Sequence, residues 1–186
     1  MEKPMKYVTN YFEKGNELLT KKRYEEAILC YEKALKNGRF NTRYKVIYNM
    51  GIAYNHLGKH KKAVKCYEKV LKDRDYPTPY KAFNNMGNSY YRLGQYNKAI
   101  ECYEKALADE NYISPGNTWF NIGLIYNQLK QYNKAIECYE KAMEERKYIP
   151  LPNIWNELTK AHNRMERFDK NPAFLQKREN LKTSYS

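Results

Sequence analysis

Residues 99–107 read Ala-Ile-Glu-Cys-Tyr-Glu-Lys-Ala-Leu, and the pattern A-[IV]-x-C-Y-E-K-[AV]-[LM] that describes them returns at 27–35, 63–71 and 135–143. Its apolar residues fall at i, i+1, i+4, i+7 and i+8, one face of a helix. Each copy lies 36 residues from the next. Upstream, Gly15, Gly51, Gly87 and Gly123 keep the same interval. So do Ala27, Ala63, Ala99 and Ala135, then Tyr31, Tyr67, Tyr103 and Tyr139, and then Ala34, Val70, Ala106 and Ala142. Four columns in one register make the chain a repeat array.

Each unit reads as two helices. The first carries the glycine, followed three residues later by Leu18, Tyr54, Tyr90 or Tyr126. Glycine inside a helix costs roughly 1 kcal/mol relative to alanine, so its recurrence points to a tight contact between paired helices, with large aromatics filling the space beside it. Gly58 and Gly94 mark the turn inside their repeats. Between repeats, the connectors hold Phe40, Tyr76, Tyr112 and Tyr148, expected to plug the inter-repeat seam. Thr78-Pro79 and Ser114-Pro115 read as helix starts, a hydroxyl cap before a proline at the first helical position.

This spacing of aromatic, Gly, Tyr, Ala, Tyr and Ala resembles the tetratricopeptide repeat, with Trp119 and Trp155 at the family's tryptophan position and Leu93-Gly94 at its turn. The connector here is two residues longer than usual. The resemblance implies an all-α, right-handed helix-turn-helix solenoid of four repeats, at about 8–43, 44–79, 80–115 and 116–151, plus a truncated fifth. Capping helices are expected over 152–183, and the whole of 1–186 forms one domain. Trp155, Leu158 and His162 open the fifth unit in register; Phe174, Leu175 and Leu181 are the sparse apolar contacts of its partner helix. A solenoid end must face water.

Of the 186 residues 30% are charged and 42% hydrophobic, a soluble helical composition. No run of about 18 apolar residues occurs and Met1–Asn10 lacks an apolar signal core, so a cytoplasmic protein without a membrane span is expected. The net charge of +13 is uneven: residues 1–72 hold 17 Lys/Arg against 7 Asp/Glu, whereas 73–148 balance at 10 and 10.

Cys30, Cys66, Cys102 and Cys138 form one column. Equivalent helices in stacked repeats sit roughly 10 Å apart, beyond the ~7 Å a disulfide spans between Cα atoms, and no C-x-x-C pair exists. They read as reduced structural thiols in a reducing compartment. His56, His60 and His162 fall in no metal or catalytic frame, and neither a nucleophile elbow nor a phosphate-cradling loop occurs. The expectation is a non-enzymatic scaffold without cofactor or metal.

In the resembled fold the first helix of each pair lines a concave groove. Two residues before the glycine stand Asn49, Asn85 and Asn121, with Glu13 and Glu157 at the ends. Asparagine is a poor helix former, and its carboxamide matches the N–H and C=O of an extended peptide. With repeats about 10 Å apart and a strand advancing about 3.3 Å per residue, one asparagine would meet every third ligand residue. Lys45, Lys81, Tyr48, Asn88, Tyr91, Arg92 and Asn127 are expected to share the groove, which suits an extended, acidic segment of a protein partner. Chaperone-binding members of the family use a carboxylate clamp instead; Asn16, Asn49 and Lys81 match it, whereas Phe12 and Asn85 depart from it.

An alternative function is binding nucleic acid or an anionic surface through a basic N-terminal edge, Lys21, Lys22, Arg23, Lys59, Lys61 and Lys62, two equivalent turns that stacking would join. A third is self-assembly into a homo-oligomeric scaffold. The Tyr-Pro-x-Pro connectors are similar to those of repeat proteins that assist type IV pilus assembly.

Overall fold

The computed structural model describes residues 5–37, 43–113, 115–144 and 154–164. Helices alternate with short turns: α1 (Met5–Thr20), α2 (Tyr24–Asn37), α3 (Arg43–His56), α4 (His60–Leu71), α5 (Pro79–Arg92), α6 (Tyr96–Leu107), α7 (Gly116–Gln128), α8 (Tyr132–Glu144) and α9 (Ile154–Arg164). No strand occurs among the described residues, and none of their helices is long and apolar enough to cross a membrane. The sequence register had placed each repeat as a helical hairpin, and α1–α2, α3–α4, α5–α6 and α7–α8 are those hairpins. The chain groups into two compact units, residues 1–113 and 114–186.

In the first unit, α3 neighbours both α1 and α5; α2 packs on α1 and α3, and α4 on α3 and α5. First helices thus form one layer and second helices the other. The nonapeptide supplies the buried face: α4 buries Ala63, Val64, Cys66, Tyr67 and Val70. In the second unit α8 packs against both α7 and α9. Its core joins Phe120, Ile136, Tyr139, Met143, Ile154 and Leu158.

The glycine column has a steric cause. A Cβ at Gly15, Gly51 or Gly87 would lie 2.5, 2.7 and 2.6 Å from a ring carbon of Tyr31, Tyr67 and Tyr103, and Gly123 meets Tyr139 in the same way. Carbon atoms prefer about 3.5–4.0 Å, so only hydrogen fits. Among the described residues those four tyrosines are the largest fully or almost fully buried side chains.

All four hairpins turn through the same motif. Gly58 and Gly94 have φ of +70°, and Lys22 and Lys130, 36 residues to either side, have φ of 59°. At each turn this residue's N–H bonds the carbonyl three back, and the next N–H the carbonyl five back, as in Lys59 N to Tyr54 O at 2.9 Å and Gln131 N to Tyr126 O at 2.8 Å. This is the Schellman pairing that closes helix C-termini. The reading of Gly58 and Gly94 as turn markers holds; the two lysines in the same conformation were not foreseen.

Two expected caps differ. Thr78 stands in the N-cap position of α5 with Pro79 in the first turn, but its side chain makes no capping bond. Helix α7 begins at Gly116, with Pro115 at the cap rather than inside the helix. The seam aromatic Tyr76 is buried, its ring centroid 5.6 Å from Tyr44 and 5.9 Å from Tyr48. Tyr112 stacks on Tyr80 at 5.0 Å. Phe40, Ser114, Tyr148 and the fifth repeat's second helix lie outside the described residues. Helix α9 places Leu158 and His162 in the core as its register requires.

Candidate functional site

Within the first unit, Asn49 and Asn85 sit at equivalent positions of neighbouring helices α3 and α5, both half-buried. Each amide is held by the preceding first helix: Asn49 Nδ2 donates to Asn16 Oδ1 at 2.8 Å, and Asn85 Nδ2 to the Tyr48 hydroxyl at 2.8 Å. The bond fixes the side-chain rotamer and leaves the Oδ1 of each residue as an acceptor. Asn16 Oδ1 also accepts from the Tyr31 hydroxyl at 2.9 Å, tying α1, α2 and α3 together. Tyr48 is wedged against Tyr67 and Tyr76, and burial raises its phenol well above the ordinary tyrosine value.

Around these amides Lys45, Lys81 and Arg92 are exposed. The Lys81 ammonium lies 5.8 Å from the Tyr80 ring centroid. Tyr91 is half-buried with its ring 5.9 Å from Tyr96. Asn88 accepts from the Tyr103 hydroxyl at 2.7 Å, so part of its amide serves packing. This repeats the Tyr31–Asn16 pair 72 residues on. In the intervening repeat Ile52 occupies the asparagine position, and Tyr67 turns to Asn55 instead, 3.4 Å away.

In the second unit Asn121 is half-buried on α7. Asn127, expected in the groove, is buried: its Nδ2 donates to Glu157 Oε2 at 3.1 Å and its Oδ1 accepts from Arg164 at 2.8 Å. Its amide therefore locks α9 onto α7. Glu157 also pairs with Lys160 at 2.8 Å.

A polar cluster that sequence spacing did not reveal joins α3, α4 and α5. Asn55 Oδ1 accepts from the Ser89 hydroxyl at 2.8 Å and lies 3.1 Å from His60 Nδ1; Ser89 is fully buried. Because the Asn55 amide nitrogen faces Tyr67, its oxygen faces His60, so the imidazole proton sits on Nδ1. Burial, then the nearby Arg92 cation, lowers the His60 pKa below its ordinary value. The sequence signal for the cluster was slight: His60 replaces the tyrosine found at 24, 96 and 132, and Asn55 shares its column with Asn127.

All six cations of the expected basic edge are exposed, but part of their charge is neutralised. Lys21 pairs with Glu17 at 2.5 Å and Arg23 with Glu26 at 2.6 Å, while Lys62 lies 5.5 Å from the Tyr54 ring centroid. Lys22, Lys59 and Lys61 make no ion pair among the described residues. The four cysteines are buried and free; desolvation pushes the Cys66, Cys102 and Cys138 thiols up to about 11. No three His, Cys, Asp or Glu side chains among the described residues come close enough to hold a metal.

No curated protein matches the sequence. Among solved structures, MamA from Desulfovibrio magneticus RS-1 is similar at 23% identity over 96% of each chain, with a TM-score of 0.77. Another MamA crystal structure is 21% identical over 95% of this chain and 92% of that chain, also at 0.77. A third, MamA MSR-1, is 20% identical over 96% and 98%, at 0.67. At such identities the likeness carries the fold alone. The sequence model described as tetratricopeptide repeat matches residues 43–109 and 78–147, and a second model of the same description matches 8–37. Since these matches span more than half of the chain, in the register set by the glycine and tyrosine columns, it belongs to the tetratricopeptide repeat family.

Proposed function

We propose that the protein is a non-catalytic scaffold whose first unit holds an extended, acidic segment of a protein partner along the layer of α1, α3 and α5. The observation that carries this reading is the pre-set pair Asn49 and Asn85. Two carboxamides, one helical repeat apart, are each anchored through nitrogen and keep an oxygen for a ligand N–H. Anchoring removes the rotamer entropy that a free asparagine would lose on binding. The exposed Lys45, Lys81 and Arg92 beside them supply positive charge that draws carboxylates and disfavours basic segments.

A neutral hydrogen bond contributes about 1 kcal/mol, so replacing both asparagines by alanine removes about 2 kcal/mol, roughly thirtyfold in Kd. The test is fluorescence anisotropy with a labelled, extended Asp/Glu-rich decapeptide, alongside affinity capture from native lysate. The double variant Asn49→Ala/Asn85→Ala is the control, and circular dichroism verifies helicity. Equal affinity of variant and parent for the decapeptide and for a captured partner removes the amide pair from the site.

A further inference from the structure

The second-helix layer of the first unit carries a run of exposed lysines, of which Lys62 lies over the Tyr54 ring. At about 100° per residue, Lys61, Lys62, Lys65, Lys69 and Lys72 fall within a single arc of roughly 100° on the outer side of α4. All five are exposed, and Lys72 continues the helical backbone at the C-cap. One carboxylate of α4, the exposed Glu68, lies at the margin of this arc; burial, and then this charge, raise the pKa of Tyr90 on the next helix. Lys61, Lys65, Lys69 and Lys72 make no ion pair among the described residues.

The repeat template supplies part of the stripe, Lys69 recurring as Lys33, Lys105 and Lys141 and Lys62 as Lys98 and Lys134, but not Lys61 or Lys65. Where α4 has Lys65, the other repeats have Leu29, Glu101 and Glu137; where it has Lys61, they have Glu25, Asn97 and Asn133. Like charges at i and i+4 weaken a helix, and Lys61–Lys65 and Lys65–Lys69 are two such pairs. A polyanion would turn that repulsion into attraction.

We infer that the α4 lysine stripe binds the phosphodiester backbone of double-stranded nucleic acid, independently of sequence. Four observations select this occupant. From Lys61 to Lys72 the helix rises through 11 steps, about 16 Å at 1.5 Å per residue, or one cation per about 4 Å; one strand of a duplex presents a phosphate every 3.4 Å or so of axis. The cations are all lysine, which meets phosphate as a point charge, with no arginine fork for planar carboxylates. The apolar side chains Ala63, Val64, Cys66, Tyr67 and Val70 of α4 are buried, so no exposed aromatic on the stripe offers the stacking platform that single strands use. Finally, the stripe is narrow. The flanking helices carry mixed charge, with Glu25, Glu26, Glu32, Lys33 and Lys36 exposed on α2 and Lys98, Glu101, Glu104 and Lys105 on α6. Their charges nearly cancel, so a single backbone lying along α4 meets the unbroken run of cations that a broad bilayer would not.

The experiment measures anisotropy of a labelled 16-base-pair DNA duplex across a salt series. The expected slope of log affinity against log salt is about −4 to −5, from roughly 0.9 per contacted phosphate. The triple variant Lys61→Gln/Lys65→Gln/Lys72→Gln should reduce that slope by about 3. The corresponding reversal to Glu should weaken binding on the order of a hundredfold at 0.1 M salt. Reversing Lys14, Lys36 and Lys98 changes net charge equally and should alter affinity only a few-fold; Asn85→Ala, on the other layer, should leave duplex binding untouched. Circular dichroism checks that every variant stays helical. The inference is overturned if the duplex does not bind at 0.1 M salt or if both triple reversals lose affinity alike. Vesicles containing phosphatidylserine pulling down the protein while the duplex fails to bind would equally overturn it.

Discussion

Replacing Gly87 by alanine sets two effects of opposite sign against each other. Alanine is the better helix former by about 1 kcal/mol, and in an exposed helix it would stabilise. Here its methyl would stand 2.6 Å from a ring carbon of Tyr103, a side chain only 1% exposed. The ring has no empty space to enter, and its hydroxyl is fixed to Asn88 at 2.7 Å. Overpacking of this kind costs about 1–3 kcal/mol, and displacing the ring forfeits a hydrogen bond worth about 1 kcal/mol more. The expected net effect is a loss of about 2 kcal/mol. Urea denaturation followed at 222 nm gives the difference. A cycle with Tyr103→Leu identifies the cause, because alanine at 87 should be far less damaging once the ring is gone. Gly87→Ala matching or exceeding the parent in stability would refute the steric account of the whole glycine column.

Three further outcomes follow from the turns, the polar cluster and the thiols. Lys22→Gly and Lys130→Gly relieve a side chain held at φ 59° and should each raise stability by about 0.5–1 kcal/mol in urea titrations, whereas Gly58→Ala should lower it by about 1 kcal/mol although nothing crowds the site. His60 has a folded pKa below its ordinary value of 6.5. The unfolded chain therefore takes up the proton first, and stability is complete above about pH 7 and declines as pH falls below 6.5. His60→Tyr, the residue found at 24, 96 and 132, should flatten that part of the pH profile; a profile unchanged by the substitution would discount His60 as the titrating group. With the thiols of Cys66, Cys102 and Cys138 buried and pushed to about 11, a disulfide reagent at pH 8 should react slowly with native protein and rapidly in denaturant.

How the asparagines and lysines divided between packing and display shows where sequence reading stops. Position two before the glycine correctly located Asn49 and Asn85 on adjacent first helices. That Asn16 and Tyr48 anchor them could not be read from spacing, since the partners lie 33 and 37 residues away. Asn127 occupied an equally plausible groove position and proved to be a buried tie between α7 and α9. The charge surplus of residues 1–72 was plain in the sequence. Which lysines share an exposed face became visible only with the helix in place.

By itself, the sequence determined the repeating helical hairpin and the pairing of small glycine with large tyrosine. Both are periodic, and in a repeat array each unit packs only on its neighbours, so one register propagates through all copies. The tertiary structure alone decided which polar groups are satisfied internally and which stay exposed. Those that join neighbouring repeats link residues 30 to 37 positions apart, and a single departure from the template, such as Ile52 in place of asparagine, redirects its neighbours to new partners. Hydrogen bonds are short-ranged and directional, so their bookkeeping depends on distances that periodicity does not encode.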